Sequence, residues 1–299
     1  MCGIVGLHLR DPELYPRLGE LLTGMLDQMC DRGPDSAGMS IYGDPNWSPP
    51  GAATVSLLDS AVPAAELAAA LTAETGHDIT VLDLDQTTVC HGPIIPAALR
   101  AAVLAVVPSA RIIGFGEDVT VMKGIGDPSD LARRFGLPQA AGWQGVAHTR
   151  MATESAVTAQ GSHPFSVGPD QCLVHNGSFS NHMSIKHELE RNGVVFDSDN
   201  DTEVGARYIA EQLAAGADLE KALLLLNETF DGFYTLLVSN KDSFAVVRDA
   251  ISCKPAVVAE TAQWVAMASE YRALAHLPGV ETARIFEPEP EEVYVWHRQ

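Results

Sequence analysis

The order in which hydrophobic periodicities change along the chain narrows its fold more than any other feature. Directly behind Cys2, GIVGLHL is an apolar run of strand length. Leu18, Leu21, Leu22, Met25, Leu26 and Met29 then recur at helical spacing, which predicts an amphipathic helix from about Glu13 to Cys30. The Pro/Gly-rich GDPNWSPPGAA reads as a linker. Beyond it the pattern gives a strand (Thr54–Leu58), an Ala-rich helix (Pro63–Thr75), strands at Ile79–Leu84 and Thr87–His91, a helix (Pro96–Val107), and strands at Arg111–Phe115 and Val119–Met122. That is the ferredoxin-like βαββαβ order with one extra strand. We therefore expect a small α/β subdomain, residues 46–123, inserted in a single domain spanning 1–299. A short helix capped near Ser129 follows, then strands at Gln144–His148 and Gln171–His175, helices over Asp201–Ala215 and Leu219–Phe230, and strands at Tyr234–Val238, Ser243–Val247, Pro255–Val258, Trp264–Ala268 and Val293–Trp296. The class is α+β, layered, with much antiparallel sheet.

Charge and cysteine content exclude several functions. The 299 residues carry 39 Asp+Glu against 19 Lys+Arg, a formal charge of -20, so most of the surface repels a nucleic-acid backbone. No apolar run approaches the roughly 18 residues of a spanning helix, and no basic leader with a cleavage site opens the chain; we expect a cytoplasmic protein with no membrane association. Five cysteines, with no CxxC pair, fit neither a disulfide framework nor a zinc site, and no metal is expected. Four lie in apolar runs and are expected in the core. Cys2 is left over.

An α-amino group in general has a pKa of about 7.7–8.0 and a thiol about 8.5, so a Cys2 amine freed by trimming of Met1 is able to act as base for its own side chain. The alternative is a small buried residue at a strand start. In HTRMATES, Arg150 sits at a strand-to-loop transition, where its planar fork suits a carboxylate ligand or a structural ion pair. In VHNGSFSN, the Asn176 side-chain amide and the Gly177 N–H suit either an oxyanion hole or an ordinary Asn-Gly turn. FDSDNDTEV places Asp197, Asp199 and Asp201 at alternate positions. Thr202 and Tyr208 stand where a calcium loop needs glycine and glutamate, so that reading falls, and Asp201 is left as a cap or an ammonium ligand.

CGIVG, DRGPDSAG, HTRMAT, HNGSFSN, DNDTE, RDAISCKP and ASEYRAL occur in the order found in class II glutamine amidotransferases, and the chain resembles that family everywhere except the insert. The resemblance implies a four-layer αββα N-terminal-nucleophile hydrolase sandwich. It implies Cys2 as nucleophile toward L-glutamine, Asn176 and Gly177 as oxyanion donors, Arg150 on the substrate α-carboxylate, Asp201 on its α-ammonium, and Arg32 and Thr153 lining the site. Met151 and the Glu154-Ser155 pair depart from the family pattern where relatives shape a lid. The stand-alone length and VMKGIGDPSDLARRFGL most resemble separate amidotransferase subunits of glutamate-synthase-like complexes, including N-methylglutamate synthase. That likeness implies a hetero-oligomer in which the ammonia acceptor, flavin and iron–sulfur cluster belong to glutamate-synthase-type partner subunits. No cofactor is expected on this chain, since GFGEDV lacks the third glycine of a dinucleotide loop and neither a P-loop nor a cysteine cluster is present. A non-catalytic scaffolding subunit and an amidohydrolase of another amino-acid amide are the alternatives. The insert is expected to dock a partner.

Overall fold

A computed structural model describes residues 2–151 and 157–298. In chain order the elements are β1 (Gly3–Leu9), α1 (Leu18–Asp27), β2 (Ser36–Tyr42), β3 (Ala53–Leu58), α2 (Ala64–Thr75), β4 (Thr80–Leu84), β5 (Thr87–Gly92), α3 (Pro96–Val106), β6 (Arg111–Gly116), β7 (Val119–Ile125) and α4 (Pro128–Arg134). There follow β8 (Gln144–Arg150), β9 (Cys172–Phe179), α5 (His182–Arg191), α6 (Asp201–Ala214), α7 (Leu219–Thr229), β10 (Gly232–Ser239), β11 (Ser243–Arg248), β12 (Val257–Glu260), β13 (Trp264–Ala268), β14 (Arg284–Phe286) and β15 (Val293–His297).

Strand β1 explains the layering. Val5, Leu7 and Leu9 pack with Leu22 and Met25 of α1, whereas Ile4 joins Val174, Leu237 and Phe244 on the opposite side. Successive side chains of a strand point to opposite faces, so a strand covered on both faces reads as a continuous apolar run. One sheet, ordered β14-β12-β13-β1-β8-β2-β7, therefore carries α1 and α4 outside and faces a second sheet, β15-β11-β10-β9, inside. The second sheet is covered in turn by α5, α6 and α7 through Phe179, Val204, Ile209 and Leu223. This is the expected αββα sandwich. At Gly6 the two sheets come so close that a Cβ would lie 2.4 Å from Leu237 Cδ2.

The insert forms its own antiparallel sheet, β4-β5-β3-β6, the ferredoxin-like order, with α2 and α3 burying Leu67, Leu71, Leu99 and Val103 against Val55 and Leu57. The extra strand, β7, belongs instead to the large sheet, where it pairs with β2 and forms its edge. The edge is closed by side chains. Val119 N–H donates to Asp170 Oδ1 (3.0 Å), Val121 N–H to Ser56 Oγ (3.0 Å), Lys123 N–H to Thr87 Oγ1 (3.2 Å) and Ile125 N–H to Gln86 Oε1 (3.0 Å). Asp170 also accepts from the N–H groups of Glu117 and Asp118 and so pins the turn between β6 and β7.

Several local expectations change. The first helix starts at Leu18, because Pro12 and Pro16 hold the preceding six residues in a tighter 3-10 turn. The linker is packed: Asp44 and Trp47 are buried, and Asp44 accepts from three main-chain N–H groups. Helix α4 is capped by Asp127, not Ser129, whose hydroxyl instead meets Asp27 and the Cys30 thiol. Of the four cysteines expected in the core, only Cys90 and Cys172 are buried; Cys30 is half-buried and Cys253 exposed. Helix α5 and strand β14 add to the expected set.

Candidate active site

The start of β1 is held on all sides. Gly3 pairs with Thr149, so Cys2 lies beside Arg150 at the end of β8. Gly3 N–H donates to Thr149 Oγ1 (3.2 Å) and Ile4 N–H to Ser269 Oγ (2.9 Å). The Cys2 carbonyl accepts from Arg32 Nε (3.0 Å) and, at a longer 3.3 Å, from Asn176 Nδ2 on the facing sheet. Arg32 is itself anchored by Glu270 at 2.6 Å. Its guanidinium thus grips the Cys2 main chain and is not among the groups lining the adjoining cavity. Thr153 lies outside the described residues, as do Glu154 and Ser155.

That cavity, of about 250 Å³, is lined by Cys2, Arg150, Asn176, Gly177 and Asp201, together with His148, Met151, His163, His175, Asn200, Thr202 and Lys254. Four separate elements deliver the five predicted groups. Alternation along β8 sends Val146, His148 and Arg150 to the side of the facing sheet. Gly33 packs on the Arg150 main chain so closely that a Cβ would sit 2.6 Å from it. On β9, Asn176 shares the face of Val174 and so meets Cys2. Gly177 is at φ +150° with Phe233 O only 2.0 Å from where a Cβ would be, so no side chain fits there. Asp201, the first residue of α6, accepts from Phe179 N–H at 2.9 Å, while Asn200 caps the helix. Its carboxylate is thereby fixed at the cavity wall, half-exposed.

Three histidines back the cavity. The His148 ring lies tilted by 38° against His163 with centroids 4.1 Å apart, and His163 lies parallel to His175 at 6.3 Å. Burial holds all three below the usual imidazole range: His148 at about 3, His175 at about 4, and His163 well down, with repulsion from His175 on His148, and from His148 and His175 on His163, adding to desolvation. They are neutral at pH 7. His163 Nδ1 accepts from His175 N–H (3.3 Å), which assigns its proton to Nε2, and His175 Nδ1 meets Thr202 Oγ1 at 2.9 Å. These rings and Lys254 were missing from the predicted site. The signal for His148 was its i, i+2 spacing to Arg150 on one strand.

Among the described residues one carboxylate group has metal-like spacing, Glu117, Asp118 and Asp170, but it lies away from this cavity and Asp170 is saturated by main-chain N–H groups. No helix among them is long and apolar enough to cross a membrane.

The αββα sandwich has the layering of the N-terminal-nucleophile hydrolase fold, with Cys2 at the head of β1 and Asn176 and Gly177 facing it from the second sheet. Residues 137–289 match the family model described as glutamine amidotransferase domain. The glutamine amidotransferase-like protein GlxB of Rhizobium meliloti is 50% identical over 303 residues, covering 100% of this chain and 99% of that protein. The glutamine-fructose-6-phosphate aminotransferase (isomerizing) of Pseudomonas putida is 34% identical over 58% of this chain and 29% of its own length. The solved glutamine phosphoribosylpyrophosphate amidotransferase from B. subtilis shares the fold, with a TM-score of 0.58 at 19% identity over 98% of this chain; the chain spans 46% of that enzyme chain. The chain belongs to the glutamine amidotransferase family.

Proposed function

We propose that the chain is a glutaminase that releases ammonia from L-glutamine through a Cys2 thioester and delivers it to a glutamate-synthase-type partner subunit. The observation that carries this reading is the gathering of a cation, a carboxylate and a nucleophile, Arg150, Asp201 and Cys2, in one cavity of about 250 Å³. A bidentate guanidinium and a fixed carboxylate suit the two charged groups of an α-amino acid.

In this mechanism the Cys2 Sγ attacks the side-chain amide carbon, and the thiol proton passes to the Cys2 α-amine exposed by removal of Met1. The carbonyl π electrons move to oxygen, where Asn176 Nδ2 and Gly177 N–H donate. Asn176 is free to turn toward it because its present bond to the Cys2 carbonyl is long. Collapse breaks the C–N bond, the α-amine protonates the departing nitrogen, and ammonia leaves a glutamyl thioester. Water, deprotonated by the same amine, attacks the thioester and frees glutamate. The neutral histidines add no positive charge to compete with Arg150. Flavin and iron–sulfur chemistry belongs, in this reading, to the partner.

Mass spectrometry after treatment with a diazo-ketone glutamine analogue tests the nucleophile: one adduct, on a Cys2 that has lost Met1, is expected. An intact Met1 with no adduct would overturn the mechanism. Ammonia release measured alone and with a co-purified partner tests the delivery; equal rates in both would remove the partner from the proposal.

A further inference from the structure

A second cavity, of about 220 Å³, lies where the insert meets the sandwich, between α3 and β6 on one side and β7 and α6 on the other. Four of the chain's 19 Lys+Arg line it, Arg100, Arg111, Lys123 and Arg207, against two carboxylates, Asp197 and Glu203. In a chain of charge -20 this concentration of cations is the reverse of the general surface. Both carboxylates are already held by Arg207, at 2.8 and 2.9 Å, and Glu203 also accepts from Ser198 Oγ at 2.6 Å. Arg100 and Arg111, on the insert, form no ion pair among the described residues; Arg100 rests over the Phe115 ring at 5.2 Å.

Lys123 is the decisive group. It is 2% exposed, its Nζ stands 4.6 Å from the centre of the Phe165 ring, and the ammonium has neither hydrogen-bond nor ion-pair partner among the described residues. A buried ammonium without a partner is costly, and a ligand anion is the group that relieves it. Burial lowers its pKa to about 8, while the Cys172 thiol on β9 and the Glu203 carboxylate on α6 pull the other way; His148 and His163 on its far side are neutral. Apolar side chains, Ile113 and Phe165 among them, share the wall with the polar Gln160, Ser166 and Ser198, a mixed lining that suits a carbon chain bearing acidic groups better than a bare inorganic ion.

We propose that this cavity binds a small organic dianion, its acidic groups carboxylate or phosphate, held between the Lys123 ammonium of the sandwich and the Arg100 and Arg111 guanidiniums of the insert. Asp197 and Glu203 on its wall flank Asp201, which lines the Cys2 cavity, so occupancy bears on the position of that carboxylate. Any effect on glutamine turnover rests on the glutaminase reading; binding itself does not.

Titration calorimetry of the full chain at pH 7 and low salt, with glutarate, phosphoglycolate and inorganic phosphate as probes, separates the two acid types. One-to-one binding of glutarate or phosphoglycolate, tighter than inorganic phosphate, is expected. Lys123→Met should weaken it at least tenfold without lowering the melting temperature, because it removes an unpaired buried charge. Arg111→Ala, at an exposed position, should weaken it several-fold and decides the matter if Lys123→Met does not fold. Absence of binding heat with both organic acids up to millimolar concentration, tightest binding by inorganic phosphate, or wild-type affinity in a folded Lys123→Met or Arg111→Ala chain would overturn the proposal.

Discussion

The sandwich and the joint between sandwich and insert are both buried, yet they are held by different forces. Between the two large sheets Ile4, Val174, Leu237 and Phe244 make a chiefly apolar contact, which also seals in the His8–Gln144 hydrogen bond (2.7 Å), and Gly6 permits van der Waals approach of strand to strand. At the joint, Ser56, Thr87 and Gln86 spend their side chains on the N–H groups of β7. Apolar packing is tolerant of small changes in volume; a main-chain group sealed from water has one partner or none. The sandwich thus rests chiefly on summed area, whereas the joint adds to its apolar packing of Leu58 and Ile113 with Val119 and Val121 a row of individually costly hydrogen bonds.

Gly177→Ala probes the sandwich side of this contrast most severely. With main-chain atoms of Phe233 only 2.0 Å from the new Cβ, we expect a loss of about 3 kcal/mol or more in chemical denaturation and of most ammonia release. Acid comes next. The folded pKa values of His148 and His175 lie below the unfolded 6.5, so the unfolded chain binds more protons between about pH 6.5 and 4. Stability is therefore complete above pH 6.5 and falls as pH drops, by on the order of 1 kcal/mol per pH unit for each histidine, readable in melting curves from pH 7 to 4.5. The joint, capped at Val121, Lys123 and Ile125 by Ser, Thr and Gln, has no such dependence there, so exchange protection of those amides should change only with global stability. Ser56→Ala leaves Val121 N–H buried without its acceptor and should cost about 1–3 kcal/mol, as should Thr87→Val at Lys123, each opening the local amide to hydrogen exchange first. If both behave instead like ordinary methyl-scale changes, the contrast fails. The smallest effect belongs to Asp83→Ala on the exposed outer strand of the insert, about 0.5 kcal/mol or less.

The sandwich strands were legible because burial on both faces makes β1 and β10 read as runs, and the insert because its helices and strands alternate at short spacing. Helix α5 escaped because Ile185 and Leu189, one turn apart, are its main apolar contacts in an otherwise polar stretch. The sheet membership of β7 was not legible, since pairing with β2 joins residues some eighty positions apart and no local periodicity records a partner. In the site, Cys2, Arg150, Asn176, Gly177 and Asp201 stand in motifs, and one cavity gathers them. His163 and Lys254 reach it from loops, whose path no periodicity encodes. The anchoring of Arg32 on the Cys2 carbonyl depends equally on the fold.

The side-chain seal along β7 has a consequence for any shortened form of this chain. Cutting out β3 to β6, residues 53–116, would strip Ser56, Thr87 and Gln86 from an outermost strand and leave its N–H groups facing water, a template on which the β7 of another copy can pair. Such a chain is expected to self-associate, so loss of a heteromeric assembly on deletion would report a sticky border as readily as a lost handhold. Charge substitutions on the outward face of the insert, which leave that border closed, separate the two.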